Sequence, residues 1–466
     1  MAASAALLFA ACTVGPNYQL PEQALINAPA ANGPLLATAS DAVSAVDVPG
    51  KWWRLYDDPA LDAYISAALA ANTDLRVASA SLARSHALLR EARALRQPSI
   101  PIEGGIQYGQ AAGEQYLLRI QPPRNTVYDS SISIGYDLDL FGAIRRGIEA
   151  ATADYESVVA AHDWVRVNVV AETARAYANI CGLGFELATA RQSLALQEES
   201  FGLTQQLQRA GRAIDLDVTR ARQLVEQLKS TLPALQAGQL NALYRLATLT
   251  GRAPAEFDQD VANCAVPPRL LQALPVGDGA SLLKRRPDVR RAERQLAAAT
   301  AQIGVAMAQL YPDIQVGASL GSIGAAADFL TAPTNFWNLG SMLKWQANQS
   351  AARARIAAAD AGAQAALANF DGVVLESLRE TETALSTYAL DLQREDRLRA
   401  ARDEAMKAAA DALRLQVGGR ATALIVIDAQ RALVAAEQSM AQIQTTIAND
   451  QIAAFLALGG GWEASY

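Results

Sequence analysis

The stretch NTDLRVASASLARSHALLREARALRQPSI, residues 72–100, returns as RPDVRRAERQLAAATAQIGVAMAQLYPDI at 286–314. Asp74 falls on Asp288, Arg76 on Arg290, Leu82 on Leu296, Pro98 on Pro312 and Ile100 on Ile314, at an offset of 214 throughout. Beyond it the register changes once. Arg145, Ile148, Glu172 and Gly211 match Arg353, Ile356, Glu380 and Gly419 at an offset of 208, as do Leu216 with Leu424 and Gly251 with Gly459. Six extra residues therefore lie in the first copy between about 101 and 144. A register held over this distance marks two homologous halves, and such a repeat decides the architecture before any single element does.

Within each half, period-two alternation marks two strands between long helices. In 128–140, Tyr128, Ser130, Ile132, Ile134, Tyr136, Leu138 and Leu140 alternate with Asp129, Ser131, Ser133, Gly135, Asp137 and Asp139. Segment 100–108 sets Ile100, Ile102, Ile106 and Tyr108 against Glu103, Gly105 and Gln107. Segment 313–321 sets Ile314, Val316, Ala318 and Leu320 against Asp313, Gln315, Gly317 and Ser319. A weaker fourth strand over 336–345 carries Trp337, Leu339, Leu343 and Trp345 on one face. Pro122 and Pro123 put a loop over 109–125.

From about Ala143 to Arg209 no proline interrupts a run of good helix formers, and 351–417 has the same character. Roughly 65 residues at 1.5 Å each span about 100 Å. Gly211 and the pair Gly418-Gly419 supply helix-ending turns. Return helices are expected at about 215–250 and 422–458, the first kinked at Pro233. Helices this long need lateral partners, in a coiled coil or a helical barrel. The expected organisation is a signal remnant (1–11), an extended N-terminal segment (12–58), repeat 1 (59–250), a linker (251–285), repeat 2 (286–458) and a tail (459–466).

Four strands cannot close a barrel alone, and open edges in lipid leave backbone groups unsatisfied. Their polar faces carry Gly, Ser, Asp, Glu and Gln, which suits a water-filled lumen. Tyr108, Tyr116, Tyr128, Tyr136, Phe141, Tyr311, Trp337 and Trp345 sit at or near strand ends, as interfacial girdles do. A soluble antiparallel sheet covered by helices is the alternative.

Hydrophobic residues at 51% and charged residues at 19% of 466 exclude a disordered chain. The balance of 40 basic and 47 acidic residues argues against nucleic acid as a partner. With His86 and His162 the only histidines, and no CxxC or HxxxH spacing, neither a metal site, a cofactor nor catalysis is expected. Cys181 and Cys264 are expected as free buried thiols, with pairing in an oxidising compartment the alternative. Beyond the first few positions no run of 18 apolar residues predicts a transmembrane helix.

The start, MAASAALLFAAC, reads as the apolar core of a signal peptide, with a longer leader expected because a basic region is missing. Ala10-Ala11-Cys12 resembles a lipobox, which makes Cys12 the expected lipidation site, with a frayed apolar N-terminus and a buried or free thiol the alternative. Pro16, Pro21, Pro29, Pro34 and Pro49 make the following segment extended along the surface.

These residues carry a family resemblance. The chain resembles outer-membrane efflux lipoproteins of the TolC/OprM (NodT) type, the exit ducts of tripartite pumps of the RND class. Its markers are CTVGPNYQLP (12–21), WWRLYDDPALDAYISAALAANTDL (52–75), DLDLFGAIRRGIEAA (137–151), LLKRRPDVRRAERQLAAATAQIG (282–304) and LIVIDAQRAL (424–433). The resemblance implies a mainly α fold with a small β part. Three chains pool four strands each into a twelve-stranded outer-membrane β-barrel, continued by a periplasmic α-helical barrel. It further implies a homotrimer anchored in outer-membrane lipid, working with a periplasmic adaptor and an inner-membrane RND pump, with drugs or other small toxic compounds as cargo. The duct of a type I protein-secretion system and a periplasmic coiled-coil scaffold are the alternatives. One departure is local: the family's Asp-Gly-Gly after the fourth strand is replaced by Gln346, Asn348, Gln349 and Ser350, so an irregular strand or junction is expected near 344–352.

Leu424, Asp428 and Arg431, spaced i, i+4, i+7, share one helix face just past the second turn. The resemblance makes them a periplasmic gate, and makes the turns at Gly211, Gly418 and Gly419 the adaptor contact. The alternative is a packing leucine beside an exposed ion pair. The first-copy counterparts Leu216, Arg220 and Gln223 lack the acidic position.

Overall fold

The computed structural model describes residues 13–36, 42–117, 119–270 and 272–460. Cys12 and the signal remnant lie outside the described residues. In chain order the elements are α1 (Pro29–Asn32), β1 (Val43–Ser44), α2 (Pro59–Ala71), α3 (Thr73–Ala94), β2 (Ile102–Gly109) and β3 (Asn125–Asp137). Then come α4 (Ala143–Arg209), α5 (Asp215–Leu249), β4 (Leu274–Pro275), α6 (Gly279–Arg285) and α7 (Pro287–Ala308). The chain continues with β5 (Asp313–Ala325), β6 (Asn335–Lys344), α8 (Ser350–Val417) and α9 (Ala423–Ala457). The order α3-β2-β3-α4-α5 recurs as α7-β5-β6-α8-α9, so the repeat in the sequence is a repeat of structure. Helices α4 and α8 run for 67 and 68 residues, and α5 and α9 for 35 each. Helix α5 is one helix through Pro233. The loop 110–124 between β2 and β3 is six residues longer than the loop 326–334 between β5 and β6, which accounts for the change of offset.

The chain divides into two compact units, the division falling inside the long helices. The first comprises the N-terminal stretch to Pro21 with 82–158 and 292–370. Its centre is a four-stranded sheet of order β2-β3-β5-β6, every neighbouring pair antiparallel. Helix α4 starts sharply after β3 because Asp139 caps it. Its Oδ1 and Oδ2 accept from the backbone N–H groups of Ile144 (2.8 Å) and Arg145 (3.0 Å). The corresponding start of α8 uses Asn348, whose Oδ1 accepts from Ser350 N at 3.1 Å.

The second unit comprises 22–81, 159–291 and 371 onward. Its core joins Leu61, Ile65, Ile180, Leu274, Leu385, Ile443 and Ile452, and Trp52 stacks on Phe455 with ring centroids 4.5 Å apart. The N-terminal segment differs from the expected surface run. Ala31, Leu35, Val43 and Val48 are buried, and β1 pairs in parallel with β4, tying the segment to the connection between the halves.

One expectation needs correction. Cys181 and Cys264 are not free thiols: they form a disulfide, Cα to Cα 4.6 Å. The loop reaches α4 because Gly184 has no side chain; a Cβ there would stand 2.0 Å from the Cys264 carbonyl oxygen. Of the irregular strand or junction expected near 344–352, the strand is regular and the junction is irregular. Strand β6 pairs with β5 without a break from Asp313↔Lys344 to Ser322↔Asn335. Only the short junction to α8 lacks regular structure, and Trp345 Nε1 and Gln349 Nε2 hold it by donating to Leu310 O, each at 3.1 Å.

Candidate functional site

The register of the sheet sorts the side chains of four strands onto two faces. One row reads Ile102–Ile132–Leu320–Trp337 across the strands, and the next reads Ile134–Ala318–Leu339. The opposite face reads Ser133–Ser319–Asn338 and Gly135–Gly317–Gly340, with Val127, Ile323, Phe336 and Met342 as apolar exceptions. The apolar face is uncovered: Ile102 is 78% exposed, Leu320 60% and Trp337 79%. A contiguous apolar surface of this extent marks an interaction with lipid or protein. Strands β2 and β6 are the edges of this sheet, with unpaired backbone groups.

At the sheet end where β3 leaves and β5 enters, Phe141 stacks on Tyr311 at 4.5 Å, and Trp345 follows β6 at the same end. Tyr128 departs from the expected girdle. It is buried under the 326–334 loop, against Phe329, and its hydroxyl meets Ser322 Oγ (3.0 Å) and accepts from Leu330 N (3.1 Å).

The TVGPNY segment is strapped to this same end. Val14 N donates to Phe141 O at 3.2 Å. The buried Arg146 donates to Val14 O (3.1 Å), Gly15 O (2.9 Å) and Asn17 Oδ1 (2.9 Å). Tyr18 Oη donates to Glu293 at 2.8 Å. Thr13, the neighbour of Cys12, thus lies against Gly142 just beyond β3.

In the second unit the two helix turns share one construction. Gly211 and Gly419 take left-handed φ values of 71° and 70°. Arg212 N donates to Leu207 O and Arg420 N to Leu415 O, both at 2.8 Å, closing the last turns as glycine C-caps do. Gly418 keeps a negative φ and donates to Arg414 O at 3.1 Å. Both turns line one groove of about 920 Å³ with Leu207, Leu216, Arg220 and Leu424. Asp428 and Arg431 stand outside that groove. They pair with each other at 3.8 Å and are half exposed.

Residues 64–252 and 280–460 match the family model described as outer membrane efflux protein. The chain belongs to the outer membrane efflux protein family. The two matched segments coincide with the two structural halves. Nodulation protein T of Rhizobium leguminosarum bv. trifolii is 29% identical over 464 residues, covering 98% of this chain and 96% of that one. The toluene efflux pump outer membrane protein TtgI of Pseudomonas putida is 30% identical over 482 residues, covering 99% and 98%. Among solved structures the outer-membrane channel OprN is 33% identical, covers 97% of this chain and 100% of its own, and superposes with a TM-score of 0.90. VceC of Vibrio cholerae, at 24% identity and a TM-score of 0.81, shares the fold. This protein is therefore an outer-membrane efflux protein, mainly α with a four-stranded sheet among the described residues.

Other polar clusters of this efflux protein do structural work. Ser79 Oγ lies 3.3 Å from His162 Nε2, but Asp163 is 3.8 Å from Nδ1, beyond a hydrogen bond, and Asp163 also accepts from Arg290. All three stand within helices whose backbone N–H groups are already bonded, so the backbone offers no oxyanion hole there. His86 packs its ring on Tyr155 at 5.6 Å. Among the described residues no group of three or more His, Cys, Asp or Glu is arranged for a metal. Burial pushes the Glu186 carboxyl up, against the opposing hydrogen bond from Thr445 at 2.7 Å. Burial, and then the charge and shared hydrogen bond of Asp391, push Asp450 up to about 7. The strap on Arg146, the disulfide and this carboxyl pair depend on contacts across the fold, and no local pattern announces them.

Proposed function

We infer that three copies of this chain form the outer-membrane duct of a tripartite efflux system. The observation that carries this reading is the sheet, with one face apolar and uncovered and both edges unpaired. The strands alternate in direction from β2 to β6, so β6 of one chain is antiparallel to β2 of the next, and three chains give twelve strands without an edge. The apolar rows then face lipid and the Gly, Ser and Asn rows face water. The long helices pool into a periplasmic tunnel.

An inner-membrane RND pump loads the cargo and a periplasmic adaptor engages the turns at Gly211, Gly418 and Gly419. The toluene-exporting relative supports small toxic compounds, drugs among them, as the cargo class. Leu424, Asp428 and Arg431 form the periplasmic gate, and Cys12 carries a lipid. The strap that holds Thr13 against the strand-end junction supports that anchor, since it brings the chain to the expected membrane boundary. Palmitate labelling lost in Cys12→Ser is the expected result; labelling that persists removes the anchor. The duct itself is tested by mass and conductance. The full-length protein in detergent should have the mass of three chains and conduct ions in planar bilayers, whereas a folded monomer contradicts the reading.

A further inference from the structure

A second groove, of about 560 Å³, lies between α4, α8 and α9 within the second unit. Its walls are apolar, formed by Leu196, Leu203, Met406, Leu413, Leu433 and Val434. Its polar groups are few. Glu437 Oε2 accepts from Ser193 Oγ at 2.8 Å, and Gln430 Oε1 accepts from Ser200 Oγ at 2.9 Å and from Gln197 Nε2 at 3.4 Å. Ser193 and Gln197 are 2% exposed, so this polar floor is built into the helix packing. The lining holds two carboxylates, Glu437 and Glu199, and no Lys, Arg or His.

The internal repeat supplies the comparison that gives this charge a meaning. At the offset of 208, Glu437 corresponds to Lys229 and Met406 to Glu198. In the first half the two positions form an ion pair across the helices, Lys229 Nζ to Glu198 Oε1 at 3.4 Å, supported by Glu226 at 3.3 Å. The second half keeps a charge on the return helix with its sign reversed. Opposite it stands a thioether instead of a counter-charge. A carboxylate at the edge of an apolar cavity is thus left to a cation from outside. A hard metal ion needs several oxygen ligands, and the single thioether of Met406, with no Cys or His in the lining, is too few donors for a soft one. The volume lies in the range of small-molecule sites, which combine apolar walls with a few placed polar groups.

We propose that this groove binds a lipophilic organic cation, its aromatic or alkyl body against Leu203, Met406 and Leu433 and its charged centre beside Glu437. The site goes beyond the duct reading and does not depend on which cargo the duct carries.

Equilibrium dialysis of tetraphenylphosphonium against the full-length protein in amphipol tests the site. Saturable binding of one cation per chain is expected. Glu437→Gln should weaken it at least tenfold. Met406→Lys should do the same with Glu437 in place, because it recreates within the chain the pairing of Lys229 with Glu198. Neutral triphenylphosphine oxide should bind at least tenfold more weakly than the cation. If Glu437→Gln fails to fold, Met406→Lys and the neutral probe decide. Absence of saturable binding, or affinities of the variants and of the neutral probe equal to the parent's with the cation, overturns the proposal.

Discussion

Asn72 and Arg286 hold the same position in the two halves and make the same bond with different chemistry. Asn72 Nδ2 donates to Leu249 O at 3.1 Å, and Arg286 Nη1 donates to Ala457 O at 2.9 Å. Each thereby ties the start of its half's first helix to the end of its return helix. Asn72 also caps α3 by accepting from Asp74 N and Leu75 N. Arg286, 1% exposed, binds Asp288 at 2.6 Å and Glu380 at 2.8 Å and lies over the Trp164 ring.

Loss of Arg286 therefore removes an ion network and its packing, whereas loss of Asn72 removes a cap. Arg286→Ala should cost about 3 kcal/mol of stability and Asn72→Ala about 1–2 kcal/mol. Denaturant unfolding of the two variants checks the order; equal costs would mean the charge network adds nothing.

The Asp391–Asp450 pair gives the second unit a pH dependence of definite sign. The raised Asp450 holds a proton in the folded chain that an unfolded chain releases near 4. Its stabilising contribution is complete below about pH 4 and is lost as the pH rises through about 7. The melting temperature should fall between about pH 4 and 7, and Asp450→Asn should flatten that slope. An unchanged slope in the variant would assign it to other groups.

At the proposed gate, Asp428 and Arg431 are a half-exposed pair at 3.8 Å. Such a pair contributes only a few tenths of a kcal/mol. Asp428→Ala combined with Arg431→Ala should leave assembly intact while raising single-channel conductance several-fold and admitting large antibiotics. Unchanged conductance in an intact assembly places the gate elsewhere.

Much of the architecture is legible because it is periodic. The alternation over 100–108, 128–140, 313–321 and 336–345 marks β2, β3, β5 and β6 within a few residues, and glycine turns mark both helix ends. Contacts made across the fold are not. The Cys181–Cys264 disulfide joins residues 83 apart, and Gly184, which permits it, reads as any helical glycine. Tyr128 has the alternation of a membrane-facing residue, yet the 326–334 loop buries it. The departure after the fourth strand marks the irregular junction but not how it is held, because the bonds of Trp345 and Gln349 to Leu310 O are not encoded in local composition. Leu424, Asp428 and Arg431 do share a helix face, but within one chain only Leu424 reaches the groove between the turns.

The central claim is that three open sheets close on one another, and the edge strands test it most directly. One cysteine on β2, at Glu103, Gly105 or Gln107, is combined with one on β6, at Asn338, Gly340 or Met342, all on one face of the sheet, and the cells' outer membranes are oxidised. The account predicts that pairs in register yield covalent trimers on a denaturing gel, reverting to single chains on reduction. Single chains from every pair, in protein that is folded and membrane-inserted, would contradict the barrel.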